Sequence, residues 1–178
     1  EYERTLAKDQ LVLVVDIGGG TSDISLIRLG PGHARVADRS KDLLSHAGRR
    51  LGGVDMDIKL AIYGLMPLLG RGSLATTGRP LPNALFSDAV NIIDIQAQEN
   101  FYRSQTSAEI QQLMLQAKEP AKVARLAQLY QQHLSYYLVQ AAEQAKIKLA
   151  DQTDTEVSLL RVEPDLVQLI SSAQLDQA

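Results

Sequence analysis

The chain has 178 residues, with 18 Lys plus Arg against 21 Asp plus Glu for a formal charge of −3, and 45% of its residues are hydrophobic. That balance excludes a disordered or fibrous class, and the net negative charge argues against nucleic acid as the main partner. With no cysteine there is no disulfide framework, thiol nucleophile, iron–sulfur cluster or cysteine-ligated zinc, which is compatible with a reducing, cytoplasmic setting.

A chain of this length buries roughly 70% of its unfolded surface, enough for one domain or two small ones. The longest purely apolar stretch, Leu11 to Val15, is far short of the ~20 residues of a spanning helix, so no membrane segment is expected. No secretory signal is expected either, and a first residue of Glu suggests a fragment of a longer chain.

Leu11-Val12-Leu13-Val14-Val15 predicts a buried strand ending at Asp16 and a glycine triplet. Asp23 to Leu29 alternates polar and apolar residues and predicts a second strand, closed by Gly30-Pro31-Gly32. Further extended segments are expected over 34–37 and 42–46. After Gly52-Gly53 the spacing of Val54, Ile58, Ala61, Leu65 and Leu68 predicts an amphipathic helix ending near Pro67 to Gly70. A loop over 70–83 is followed by expected helices over 83–99 and 108–117. The longest helical pattern begins at Pro120 and reaches about Ala150. Its length would be about 46 Å unbroken, so a single break is expected. Strands over 156–162 and 166–170 should pair across Glu163-Pro164-Asp165, and the serine pair Ser171-Ser172 suits the start of a last helix.

The segment with the most chemistry is Asp16-Ile17-Gly18-Gly19-Gly20-Thr21-Ser22-Asp23. Consecutive glycines let a backbone approach an anion closely, and their N–H groups can converge on phosphate oxygens. Thr21 adds a hydroxyl, and two carboxylates beside a phosphate site suit Mg²⁺. A plain glycine-rich hairpin with two solvated aspartates fits the same spacing. Neither the P-loop nor the Rossmann pattern is present.

This segment resembles the second phosphate motif of the actin, sugar-kinase and heat-shock-chaperone ATPases, in the form carried by the DnaK-type 70-kDa heat-shock chaperone family. Two further segments follow in the family's order: Ala47-Gly48-Arg49-Arg50-Leu51-Gly52-Gly53-Val54-Asp55-Met56-Asp57, and Ala142-Glu143-Gln144-Ala145-Lys146-Ile147-Lys148-Leu149. The stretch around Met66-Pro67-Leu68-Leu69-Gly70 and the Pro-rich loop after it look most like divergent, YegD-type members. The resemblance implies an α/β fold: an actin-like (ribonuclease H-like) lobe fragment, with a glycine-rich β-hairpin and a helical outer subdomain that includes a small antiparallel sheet. Residues 1–51 would be part of the inner subdomain of the second lobe, and 52–178 the outer subdomain.

By the same resemblance the chain is part of the ATP-binding domain of a chaperone, with ATP and Mg²⁺ as cofactors. Asp16, Thr21 and Asp23 would form the catalytic set, with Asp16 and Asp23 holding Mg²⁺ through water. Gly18, Gly19, Gly20 and Thr21 would hold the β- and γ-phosphates. Gly52 and Gly53 would line the cleft at a helix start, where free N–H groups favour anions. Glu143 and Lys146, three apart on one helical face, would meet the ribose and adenine edge. Ile147 and Ala150 replace an arginine and a serine of the family, removing a cation–π contact and a hydrogen bond worth ~1 kcal/mol each. Implied partners are ATP or ADP, a nucleotide-exchange factor or co-chaperone, and client polypeptides bound through other domains. The ATPase activity would belong to the full-length protein, this stretch alone being inactive.

Two other readings stand beside this one: a docking module for an exchange partner or co-chaperone, and a sugar or acid kinase of the same superfamily. His33, His46 and His133 lack metal-ligand spacing and read as surface or packing residues. Arg49-Arg50 reads as a solvated pair, and Tyr130, Tyr136 and Tyr137 as core and helix packing. No Ser/His/Asp nucleophile arrangement is present.

Overall fold

The computed structural model describes residues 1–176, which form two compact units, Glu1–Asp55 and Met56 onward. The sequence placed a division at 51/52. The observed composition is mixed α/β, with one three-stranded and one two-stranded antiparallel sheet.

In the first unit, β1 (Gln10–Ile17), β2 (Ser22–Leu29) and β3 (Leu43–Arg49) pair in chain order. The β1–β2 register runs from Gln10↔Leu29 to Ile17↔Ser22, so Leu13 faces Leu26 and Val15 faces Ile24. The β-branched and leucine run favours this pleat. Burial, however, differs from the buried strand expected for Leu11 to Val15. Leu11, Leu13, Val15 and Ile17, on one face of β1, are all more than half exposed. The segment expected to be extended over 34–37 is instead a turn, with the N–H groups of His33 and Ala34 donating to Gly30 O at 3.0 and 2.9 Å.

The cause of that turn is a polar cluster. Glu3 takes both terminal nitrogens of Arg39 at 2.8 Å and the N–H of Gly30 at 3.0 Å. Asp42 accepts from Arg39 Nε at 2.8 Å and lies 2.7 Å from His33 Nδ1. The Arg39 guanidinium holds both carboxyl groups, Glu3 and Asp42, below their ordinary range. A carboxylate lowered in the folded state stabilises it above the unfolded pKa and loses that contribution as pH falls through the folded one. Acid should therefore loosen the 30–42 turn selectively as pH drops below about 4. Amide exchange at Gly30 measured against pH checks this, and Arg39→Ala should weaken the dependence without abolishing it, since Gly30 N–H and His33 also hold these carboxyl groups down.

The second unit starts within α1 (Gly53–Leu60). Helical structure continues through a wide π-helical turn over Ala61–Leu65 and a tight 3-10 turn over Met66–Leu69, the end expected from the sequence. Gly70 closes it at φ 103°, where a Cβ would also come within 3.0 Å of Val123 Cγ2. The helix expected over 83–99 is two: α2 (Ala84–Val90) and α3 (Ile95–Tyr102). Asp94 breaks it by N-capping α3, its carboxylate accepting from the N–H groups of Gln96 and Ala97 at 2.9 and 3.2 Å. Next come α4 (Thr106–Gln116), α5 (Pro120–Gln131) and α6 (Ser135–Leu149).

The single break expected in the longest pattern falls between α5 and α6. His133 sits at φ 53°, and the N–H groups of Leu134 and His133 donate to Leu129 O and Tyr130 O at 3.0 and 3.3 Å. These are the two bonds of a Schellman ending, with histidine where glycine is usual.

β4 (Asp154–Ser158) and β5 (Val167–Ser171) pair antiparallel from Asp154↔Ser171 to Ser158↔Val167. Residues 159–162, expected as strand, form the connecting turn. A short α7 (Ser172–Asp176) follows, with Gln174 Oε1 accepting from Ser171 N–H at 2.9 Å in half of a capping box. Leu65, Phe86, Phe101, Leu126, Leu138 and Leu159 are fully buried in this unit. Arg125 binds Glu163 in a two-pronged contact at 2.9 and 3.0 Å and also donates to Leu68 O at 3.1 Å.

Candidate functional site

The loop between β1 and β2 is built from its glycines. Gly18 N–H donates to Thr21 O at 2.8 Å, closing the turn. Gly53 N–H donates to Gly18 O at 3.0 Å and Val54 N–H to Gly19 O at 2.8 Å, which seats the loop on the start of α1. Gly52 N–H donates to Asp55 Oδ2 at 2.7 Å, the reciprocal half of a capping box. Ser22 Oγ donates to Leu51 O at 2.7 Å, fixing the far end of the loop. A Cβ on Gly52 would lie 2.5 Å from Gly19 C, Gly19 O and Gly20 N, so no side chain fits there.

Two expectations about donors change as a result. The N–H of Gly18 is spent inside the turn, and the N–H groups of Gly52, Gly53 and Val54 are spent on Asp55 and on loop carbonyls. The helix start expected to offer free donors offers a seat instead. The N–H groups of Gly19, Gly20 and Thr21 have no acceptor among the described residues. A Cβ on Gly20 would meet nothing within 4 Å, so this stretch borders open space. Three successive unspent donors beside open space are groups that can take an anion.

Beside it stand the two aspartates. Asp16 and Asp23 are direct partners in the β1–β2 register, which places their Cβ atoms roughly 5 Å apart on one face of the ladder. Two like charges opposite each other repel, and no Lys or Arg pairs with either among the described residues. The described residues contain no cluster of three or more His, Cys, Asp or Glu that could enclose a metal. Two carboxylates fit a hard cation that keeps most of its waters, the way Mg²⁺ binds near phosphates.

Sequence reasoning missed a neighbour of this pair. His46 Nε2 lies 3.8 Å from Asp23 Oδ1, and its Nδ1 is 3.0 Å from Ser25 Oγ. The signal was available in the strand period, because His46 and Gly48 alternate on the face that Asp23 covers.

In the second unit Glu143 and Lys146 share one face of α6. Glu143 is exposed, whereas the side chain of Lys146 is 22% exposed and its Nζ lies 2.7 Å from Asp57 Oδ1. Burial pushes the Asp57 carboxyl up, Lys146 pulls it down, and the negative charge of Glu143 pushes it up again. Ile147 is exposed on the same helix. Of the tyrosines, Tyr130 stacks on Tyr102 with centroids 6.0 Å apart and Tyr137 donates to Ser158 O, while Tyr136 is exposed rather than packed. His33 has the packing role expected of it, and the His133 ring stacks on Tyr102 at 4.5 Å. No helix among the described residues is long and apolar enough to cross a membrane.

Compared with known families, residues 2–66 match the family model described as Hsp70 protein, a little over a third of the chain. The matched span contains the loop, both aspartates, the seat at Gly52 and Asp57, and it supports the Hsp70 family for this stretch.

Proposed function

We propose that the chain is part of the ATP-binding domain of a heat-shock-type chaperone of the Hsp70 family. The observation that carries this reading is the row of unspent N–H donors at Gly19, Gly20 and Thr21 beside the Asp16/Asp23 pair, inside the matched span. In the full-length protein these donors hold the β- and γ-phosphates of ATP. Asp16 and Asp23 hold the water shell of Mg²⁺, and Thr21 adds its hydroxyl. Mg²⁺, when bound, neutralises charge on the transferring phosphoryl group. Gly18, Gly52 and Gly53 keep the loop in shape rather than touching phosphate. Glu143 and Lys146 take the nucleoside.

The finer reading is a piece of the second, actin-like lobe, of YegD type and cytoplasmic, working with an exchange factor or co-chaperone. Catalysis here is positioning and electrostatics, since phosphoryl transfer asks the protein for little covalent chemistry.

Asp16→Asn in the full-length protein should lower ATP turnover about tenfold or more with an unchanged circular dichroism spectrum. Wild-type turnover would remove Asp16 from the site. The 178-residue chain alone should bind ATP with a millimolar or weaker Kd. Donors on one side of a phosphate in water give about 1 kcal/mol per contact against association costs of ~4 kcal/mol or more. A micromolar constant by calorimetry would show a self-contained site.

A further inference from the structure

We propose that the cavity between α2 and α4 is a binding site for a small organic monocation, an apolar body carrying one ammonium group, with Asp88 as its counter-ion. The cavity lies outside the residues matched by the Hsp70 family model and shares none of the groups assigned to ATP.

The sequence of each helix divides its sides. In α2, Phe86, Ala89 and Val90 are buried in the core, while Ala84, Leu85 and Asp88 line the cavity. In α4, Ala108, Glu109, Gln112 and Leu113 line it at helical spacing. α2 packs on α3 and α3 on α4. Between α2 and α4, the short side chains of Ala84 and Ala108 leave a solvent-open space of about 590 Å³. Cavities that take small organic molecules span about 300–1,000 Å³ and are mostly apolar. Pro82, Leu85 and Leu113 complete an apolar wall of that kind. Side chains also pin the helices around it: Gln98 Nε2 donates to Asp88 O at 2.9 Å, and Thr106 Oγ1 to Asn100 O at 3.0 Å.

Charge then decides which molecule fits. The charged side chains lining the cavity are two carboxylates, Asp88 and Glu109, against one guanidinium, Arg103. Arg103 Nη2 donates to Glu109 Oε1, so these two satisfy each other. The Asp88 carboxylate is half-buried and has no hydrogen bond or ion pair among the described residues. Burial and the charge of Asp94 raise its carboxyl, and Arg103 opposes them only in part. A carboxylate bordered by apolar surface loses hydration without a partner in return. An ammonium supplies that partner while its apolar body covers the wall. A neutral ligand leaves Asp88 unpaired, and an anion meets surplus negative charge.

Three ligands with one body test this by calorimetry on the full-length protein: para-phenylbenzylammonium, para-phenylbenzyl alcohol and para-phenylbenzoate. The ammonium should bind once per chain with a Kd of about 0.1–1 mM, the alcohol about tenfold more weakly, and the benzoate more weakly still. Asp88→Asn, with an unchanged circular dichroism spectrum, should bring the ammonium down to the alcohol and leave the alcohol within about twofold. Ala108→Trp, at an exposed helical position, should fill the space and abolish binding of the ammonium. Equal binding of ammonium and alcohol, preference for the benzoate, or no saturation by the ammonium at several times that Kd would each overturn the proposal. So would a preference for the ammonium that survives Asp88→Asn, or full binding in Ala108→Trp, either of which places the ligand elsewhere. Should Asp88→Asn not fold, the order of the three ligands on the wild-type chain and the loss in Ala108→Trp still decide.

Discussion

Gly52→Ala should displace the loop at Gly18–Thr21 and abolish its use as an anion site, although the change adds a single methyl group. Gly52 does not occupy a left-handed conformation, so backbone strain plays no part, and the close approach alone decides. The added Cβ would stand 2.5 Å from backbone atoms of Gly19 and Gly20, which have no rotamer to move away. Relief requires breaking the bonds from Gly53 N–H to Gly18 O and from Val54 N–H to Gly19 O. Overpacking of this kind costs about 1–3 kcal/mol. The expected readout is a set of shifted amide resonances from Gly18 to Thr21, with ATP turnover in the full-length protein down at least as far as in Asp16→Asn. Unshifted loop amides would show that the seat yields.

The largest loss of stability should come from Phe101→Ala. Phe101 is fully buried at the end of α3, its ring edge-on to Tyr102 at 4.9 Å and to Tyr130 at 5.8 Å. Removing a core phenylalanine costs about 3–5 kcal/mol, and the total for a domain is about 5–15 kcal/mol. Urea denaturation followed through the second unit should show a much lower midpoint at nearly unchanged slope. Leu11→Ala is the control: Leu11 is 58% exposed, so its truncation should stay within about 0.5 kcal/mol. Equal losses from the two variants would contradict the burial described here.

What was legible in the sequence was local. The alternation through Asp23 to Leu29 and the glycine triplet gave a hairpin with Asp16 and Asp23 at its closed end, because period and turn chemistry are properties of neighbours. What was not legible depended on distant partners or unusual occupants. The break at Asp94 lay inside a good helical pattern, and the ending at His133 lacked the glycine that announces such a stop. The 34–37 segment turns because Glu3, far away in sequence, holds Arg39 and Gly30. Gly52 and Gly53 looked like an open helix start, and only the folded loop shows their donors to be taken. Asp57 stood in a recognised segment with no role, since its burial against Lys146 exists only in three dimensions.

The strand order of the first unit also sets a timetable. β1, β2 and β3 pair only with their neighbours in sequence, so little chain entropy is lost in closing them. A hairpin of this kind forms in about 1–10 μs, while a ribosome needs on the order of ten seconds to add a further hundred residues. The three strands can therefore pair, and the Gly18–Thr21 loop can close between β1 and β2, well before the helices of the second unit have been synthesised.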